Sequence, residues 1–78
     1  MLLSSDLLSE MRVLTMFDLS TTQQGIKVHH DAEQDVISAT ERLFDKGLIS
    51  QKDGGYLTSL GRDAALHVHD LVTILTTK

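Results

Sequence analysis

The stretch from Ala39 to Ala65 constrains the fold most, because it reads as a helix, a helix stop, a tight hairpin and a new helix with almost no spare residues. Arg42 and Lys46 would lie in the last turn of the first of these helices, where cations are favoured. Gly47 then supplies the left-handed residue that ends a helix. The pattern predicts a central helix from about Ala32 to Lys46.

A short β-hairpin is predicted directly after this stop. Leu48 and Ile49 begin one strand, and Tyr56 to Thr58 return as the second. Asp53-Gly54 or Gly54-Gly55 would provide the positive φ angles of a two-residue hairpin turn. Thr58 or Ser59 is a suitable cap for the next helix.

The remaining elements follow from apolar spacing and capping residues. Leu7, Leu8, Met11, Leu14 and Phe17 recur at helical spacing, which predicts a first helix from about Ser5 to Phe17. The final helix should run to about Thr76 on a stripe of Ala64, Val68, Leu71 and Leu75. Three further features are predicted between these helices: a short helix near Thr21 to Gly25, an extended segment at Ile26 to Val28, and a capping box of Asp31 with Gln34.

Length and composition indicate one domain spanning residues 1–78. The chain is 41% apolar and 23% charged, which is typical of a globular protein, and its small size makes it marginally stable alone. It contains no cysteine, which excludes disulfides and thiolate ligands and agrees with a cytoplasmic location. No apolar run reaches the roughly 18 residues of a membrane span, so we expect no membrane association.

The run from Leu43 to Ala65 resembles the end of the recognition helix, the wing and the following helix of MarR-type and PadR-type winged-helix regulators. The resemblance implies an α+β, mostly helical, winged helix-turn-helix-like fold with about four helices and one short β-hairpin wing. It covers about a third of the chain and is specific for fold rather than for ligand. The matching positions are Leu43, Gly47, Leu48, Ile49, Gly54, Gly55, Thr58, Gly61 and Arg62.

The whole chain, including LSTTQQGIKVHHDA and LFDKGLISQKDGGYLTSLG, is also similar to a family of short, uncharacterised gamma-proteobacterial proteins of nearly this length. This second resemblance supports the same architecture. It implies no particular activity.

The charge of the central helix separates two hypotheses about function. The chain has a net charge of −4, and the segment from Asp31 to Lys46 contains five acids against two bases. An acidic helix can attract a basic protein partner, so the favoured hypothesis is a non-catalytic protein-interaction module that modulates a regulatory complex. The residues expected to contact that partner are Glu33, Asp35, Glu41 and Asp45.

The alternative hypothesis is a DNA-binding transcriptional regulator, in which the central helix enters the major groove and the wing contacts phosphate. Most affinity for DNA comes from neutralising phosphates, so the acidic helix argues against this alternative. The candidate DNA contacts are Gln34, Ser38, Arg42 and Lys52.

A homodimer through the terminal helices is also considered, since these helices carry apolar residues outside their main stripes. Val13, Met16, Leu66 and Ile74 are either part of such an interface or ordinary surface residues, and the two interpretations are equally weighted.

Neither a metal site nor catalysis is expected. His67 and His69 lie two residues apart, so on a helix their side chains point about 200° apart and cannot easily hold one ion. A site that joins His30 to His67 or His69 would need a tertiary contact between these distant positions. No nucleophile elbow, phosphate loop or paired-carboxylate pocket is apparent, and we therefore expect no catalytic residues and no cofactor.

Overall fold

The computed structural model describes residues 3–21 and 24–77. The described residues form a small α+β fold of three helices and one three-stranded antiparallel sheet, where the sequence predicted about four helices and a hairpin. The elements are α1 (Ser5–Leu14), β1 (Ile26–Lys27), α2 (Gln34–Asp45), β2 (Ile49–Gln51), β3 (Gly54–Leu57) and α3 (Ser59–Thr76).

Helix α1 begins at the predicted residue but ends earlier than predicted, at Leu14 rather than at Phe17. The hydroxyl of Thr15 donates a hydrogen bond to the carbonyl of Arg12 at 2.6 Å, and this carbonyl lies in the last turn of the helix. The chain then turns, which allows Phe17 to be buried in the core at 3% exposure.

The short helix expected near Thr21 to Gly25 is not formed by the described residues of that range, and Thr22 and Gln23 lie outside the described part. A side-chain turn precedes this region. The amide and the hydroxyl of Ser20 donate to Asp18 Oδ1 at 2.9 and 2.6 Å. The hydrogen bond from the Ser20 hydroxyl and, to a smaller extent, the one from its amide hold the pKa of Asp18 below its ordinary value.

The extended segment predicted at Ile26 to Val28 forms β1 over its first two residues, and it joins the hairpin to make a sheet of order β1-β3-β2. Strand β3 is central. Gly54 pairs with Lys27 on one side and with Gln51 on the other. The register between β2 and β3 shifts between Ile49 and Gln51.

The hairpin turn is Lys52-Asp53, and the prediction of Asp53-Gly54 or Gly54-Gly55 was wrong. Gly54 and Gly55 do have positive φ angles, of 130° and 74°, but they are the first residues of β3. The amide of Val28 donates to the carbonyl of Asp53 at 2.7 Å. A simple hairpin would lack this contact with the chain after β1. The contact stabilises a turn at Lys52-Asp53, one residue earlier than the predicted Asp53-Gly54.

Helix α2 does not begin with the predicted capping box. Its N-cap is Glu33, whose side chain makes no capping hydrogen bond, and Gln34 is the first helical residue. The reason is a turn before the helix, in which the amide of Ala32 donates to the carbonyl of His29 at 3.0 Å. Asp31 lies in this turn and is not the N-cap.

The end of α2 confirms the predicted role of Gly47, which has a φ angle of 81°. The amide of Gly47 donates to the carbonyl of Phe44 at 3.0 Å, and the amide of Leu48 donates to the carbonyl of Leu43 at 2.9 Å. Together these two bonds form a Schellman motif, which satisfies carbonyl groups that have no partner within the helix.

Thr58 caps α3, which confirms one of the two predicted caps. Its hydroxyl oxygen accepts a hydrogen bond from the amide of Gly61 at 3.0 Å and donates one to the carbonyl of Gly47 at 2.7 Å. Gly61 lies close to the backbone at the start of the hairpin, since a Cβ atom there would be 1.8 Å from the carbonyl oxygen of Leu48. The stop of α2 and the start of α3 are therefore held together.

The core lies where the three helices meet the sheet. Val13, which the sequence placed outside the α1 stripe, is fully buried, whereas Leu8 from that stripe is 48% exposed. The buried cluster consists of Val13, Leu14, Phe17, Ala39, Leu43, Ile49 and Ala65.

Candidate recognition surface on α2

Helix α2 is held against α1 by a buried carboxylate. Glu10, on α1, has only 6% of its surface exposed. Its Oε2 atom accepts a hydrogen bond from Arg42 Nε at 2.9 Å, and its Oε1 atom accepts one from Lys46 Nζ. Arg42 also donates to the backbone carbonyl of Asp6 at 3.2 Å. Arg42 on α2 and Lys46 at its C-cap are thus both turned towards α1.

The pKa of Glu10 reflects this pairing. Burial by itself raises the pKa, because it removes water from the charged form. The hydrogen bonds from Lys46 and Arg42, together with the positive charges of the two side chains, outweigh burial and bring the pKa of Glu10 below its ordinary value. Glu10 is therefore ionised at neutral pH and balances charge on α2.

The four acids predicted to bind a partner are all exposed, but they do not lie on a single face. Glu33 is at the start of α2. Asp35 lies on the side of α1 and approaches Arg12, with 3.9 Å between Asp35 Oδ2 and Arg12 Nη1. Within residues 3–21 and 24–77, Glu33, Glu41 and Asp45 form no ion pair.

Glu41 and Asp45 share an outward stripe with two of the candidate DNA contacts. The positions 34, 38, 41 and 45 recur at the spacing that places residues on one face of a helix. Gln34 and Ser38 occupy the first half of this stripe, and Gln34 Nε2 donates to Ser38 Oγ at 3.0 Å. We call Gln34, Ser38, Glu41 and Asp45 the α2 stripe. Its two charged residues are acids.

The structure separates the remaining candidate DNA contacts from this stripe. Arg42 points to α1 and is bound to Glu10, so it does not extend outward from α2 as the DNA-binding hypothesis required. Lys52 lies in the β2–β3 turn and is exposed. Of the four residues in that hypothesis, Gln34 and Ser38 therefore lie together on α2. Lys52 lies in the β2–β3 turn, and the side chain of Arg42 is bound to Glu10.

A groove of about 630 Å³ lies between α2 on one side and the end of β1 with the β2–β3 turn on the other. Glu41 lies on the α2 side, whereas Lys27 and Lys52 come from the sheet side. The lining is mixed in charge, and the complete set is Lys27, Val28, His29, His30, Ile37, Thr40, Glu41, Lys52 and Asp53.

The histidines do not assemble into a metal site in the described structure. Across residues 3–21 and 24–77, no three His, Cys, Asp or Glu residues are grouped so that they could hold an ion. His29 and His30 line the groove beside α2, and His67 is exposed on α3. His69 is half-buried on α3, and its Nε2 atom has no hydrogen-bond partner among the described residues.

Sequence reasoning did not identify Glu10 as a partner of α2. A signal was present, because Glu10 lies three residues after Leu7 and four residues before Leu14, within the apolar spacing of the first helix. An acid at such a position points into the protein and needs a cation beside it. The sequence alone does not say that Arg42 and Lys46 provide it.

Comparison with known proteins identifies a family for this chain. Residues 1–76 match the model of a family of unknown function, DUF5669, so the chain belongs to this family. Neither the comparison with curated proteins nor the comparison with solved structures found a match. In the described part of the chain, no helix is both long enough and apolar enough to cross a membrane.

Proposed function

We propose that this protein is a non-catalytic recognition module that binds a basic protein partner through the exposed acids of α2. The surface consists of Glu33 at the start of the helix and of Glu41 and Asp45 on the α2 stripe. Asp35 extends the negative surface towards α1, where Arg12 partly balances it.

The observation that carries this proposal is the binding of both α2 cations by Glu10. If Arg42 and Lys46 paired with the neighbouring acids instead of with Glu10, they would weaken the attraction of a basic partner to those acids. Glu10 binds both cations, and Glu41 and Asp45 are exposed and form no ion pair in the described structure. Charges arranged in this way steer a complementary partner and favour its correct orientation.

A winged-helix-like architecture belongs to the same proposal. Two features support it: the element order α1-β1-α2-β2-β3-α3 and a sheet in which β3 lies between β1 and β2. In this interpretation α2 is the presented helix, and the Lys52-Asp53 turn is the tip of the wing. A presented helix whose charged stripe residues are acids suits a basic protein surface better than phosphate.

Charge reversal tests the proposal. We would immobilise the wild-type chain and the E41K/D45K variant, capture partners from a lysate of the source cell, and quantify the retained proteins. The expected result is a basic protein that the wild type retains and that E41K/D45K loses by at least about tenfold, since the variant places two cations on the stripe.

The matched control is D63K/D70K, which makes the same change in net charge at two exposed acids of α3. It should retain the partner. Capture of the same proteins by E41K/D45K and by the wild type would contradict the role of the stripe.

DNA binding is the second candidate, and the groove beside α2 is the observation that favours it. Lys27 and Lys52 line this groove next to the helix. A fluorescence titration with mixed-sequence duplex DNA at low salt distinguishes the candidates, because phosphate contacts are strongest there. Binding that the K27A/K52A variant loses would favour DNA, whereas the absence of binding at low salt would exclude this candidate.

A further inference from the structure

The groove between α2 and the β2–β3 turn carries charges of both signs on its two sides. Lys27, from β1, and Lys52, from the turn, contribute ammonium groups on the sheet side, and Glu41 contributes a carboxylate on the α2 side. All three residues are exposed. Among residues 3–21 and 24–77, none of them forms an ion pair. Opposite charges thus line one groove without neutralising one another.

Asp53 is the second acid of this lining, and it lies beside both lysines. It follows Lys52 in the chain, and its carbonyl accepts a hydrogen bond at 2.7 Å from the amide of Val28, the residue after Lys27. The sheet side therefore has two cations and one acid, and the α2 side has one acid. A ligand with charge of one sign is attracted by two of these residues and repelled by the other two.

Apolar side chains complete the lining. Val28 is buried at 9% exposure, and Ile37 is half-buried on α2. Ile37 and Glu41 are four residues apart, so they share one face of the helix. The volume of about 630 Å³ falls within the range of about 300–1,000 Å³ that is typical of small-molecule sites. Methylene groups of a ligand would be stabilised by burial against this apolar part.

We propose that the groove binds a small zwitterionic molecule in which an ammonium group and a carboxylate are joined by a short apolar chain. The ammonium group pairs with Glu41, the carboxylate lies against Lys27 and Lys52, and the chain packs on Val28 and Ile37. Such a molecule gains from the charges on both sides of the groove, because its own charges are distributed in the same way with opposite sign.

This proposal does not rest on the binding of a basic protein partner, although both sites use Glu41. The partner surface requires the acids of α2, whereas the groove requires Lys27 and Lys52 as well. A titration with a small probe involves no protein partner. Its failure would leave the partner proposal intact, and the loss of partner binding would leave the groove proposal intact.

The test is a titration of the full wild-type chain with ε-aminocaproate, followed by the NMR shifts of backbone amides at moderate salt. Caproate and hexylamine are matched probes, because each keeps the chain of ε-aminocaproate but has only one of its two charges. The zwitterion should shift amides around Val28, Glu41 and Lys52. Each singly charged probe should bind at least about fivefold more weakly, since it loses one set of charge contacts.

E41Q and D45N form a matched pair of variants. Both replace an exposed acid of α2 that forms no described ion pair, but Asp45 does not line the groove. E41Q should bind ε-aminocaproate at least about fivefold more weakly than the wild type, whereas D45N should remain within about twofold. D53N should bind it more tightly, because the variant removes the acid beside the two lysines.

Three results would overturn the proposal. The first is equal affinity of the wild type for ε-aminocaproate and for either singly charged probe. The second is equal affinity of E41Q and D45N for the zwitterion. The third is the absence of groove shifts at the highest soluble concentration of ε-aminocaproate. The comparison of probes uses the wild type alone, so it does not depend on the folding of a variant.

Discussion

Glu10 and Arg42 are 32 residues apart in the sequence, yet Glu10 Oε2 accepts a hydrogen bond from Arg42 Nε at 2.9 Å. The same carboxylate binds Lys46, the C-cap residue of α2, which lies one turn further along the chain. This arrangement couples two properties of the molecule. It fixes α2 against α1, and it withdraws two cations from the helix surface on which the exposed acids lie.

We predict that E10Q lowers the free energy of unfolding by about 1–3 kcal/mol at pH 7, because it removes the buried partner of two cations. The side chains of Arg42 and Lys46 are 31% and 49% exposed and can turn to water, which limits the loss. Urea denaturation measures the change. The control is E33Q at an exposed acid outside the described ion pairs, which should change stability by less than about 0.5 kcal/mol. Equal effects of the two variants would contradict a stabilising role for Glu10.

The stabilisation by Glu10 should depend on pH in a defined direction. The pKa of Glu10 in the folded protein lies below the ordinary value of 4.5, so its contribution is complete above pH 4.5 and is lost as the pH falls through the folded value. The difference in unfolding free energy between the wild type and E10Q should therefore be constant from pH 7 to about pH 5.5 and shrink below about pH 4.5. A difference that grows on acidification would have the wrong sign.

We predict that T58A destabilises the protein by about 1–2 kcal/mol, because the hydroxyl caps α3 and also bonds the carbonyl of Gly47. Thermal unfolding followed by circular dichroism measures the loss. Ser59 is the matched control, since it was the other candidate cap and is exposed as the first residue of α3. S59A should remain within about 0.5 kcal/mol of the wild type. A larger loss of stability from S59A than from T58A would contradict the assignment of Thr58 as the cap.

Two glycine substitutions should lower the free energy of unfolding by different amounts, because one creates a steric clash and the other an unfavourable backbone angle. G61A places a Cβ atom 1.8 Å from the carbonyl oxygen of Leu48, so the backbone must move, and we expect a loss of at least about 3 kcal/mol. At Gly47 no heavy atom of the described residues, apart from the glycine and its two chain neighbours, lies within 4 Å of the added Cβ, and the φ angle of 81° is unfavourable. G47A should therefore cost about 1–2 kcal/mol. Chemical denaturation of both variants under one condition tests this order, which the reverse ranking would refute.

We predict that H69L leaves stability unchanged or raises it by up to about 1 kcal/mol. The Nε2 atom of His69 is buried and has no described hydrogen-bond partner, and an apolar side chain removes the cost of leaving it without one. H67L, at an exposed histidine of the same helix, should be neutral within about 0.5 kcal/mol. Urea denaturation of both variants measures these changes. A loss of more than about 1 kcal/mol from H69L alone would indicate that Nε2 has a partner.

The elements that the sequence predicted well are those fixed by local chemistry. Gly47 ends α2 because a glycine adopts the left-handed conformation easily, and Thr58 caps α3 because its hydroxyl reaches an amide three residues away. The predicted start of α2 was wrong because Asp31 is a favourable N-cap residue by its type, whereas the actual N-cap, Glu33, makes no side-chain capping hydrogen bond. The contact that excludes it, between Ala32 and His29, forms only when the chain turns after β1.

The candidate site was predictable only in part. The exposure of Glu33, Asp35, Glu41 and Asp45 agrees with the expectation that acids lie on the surface. The distribution of the cations was not predictable, because it depends on α1 lying beside α2. The same is true of the burial of Val13 and the 48% exposure of Leu8, which depend on how α1 packs against the rest of the fold.

By itself the sequence determined the helix stop at Gly47, the cap at Thr58, the small α+β class and the excess of acids, because each depends on neighbouring residues or on composition. Only the tertiary structure decided that Arg42 is bound to Glu10, that β1 completes a three-stranded sheet, and that a groove lies between α2 and the β2–β3 turn. These features bring together residues that are distant in the chain. Helical spacing shows which residues share a face, but only packing shows what that face contacts.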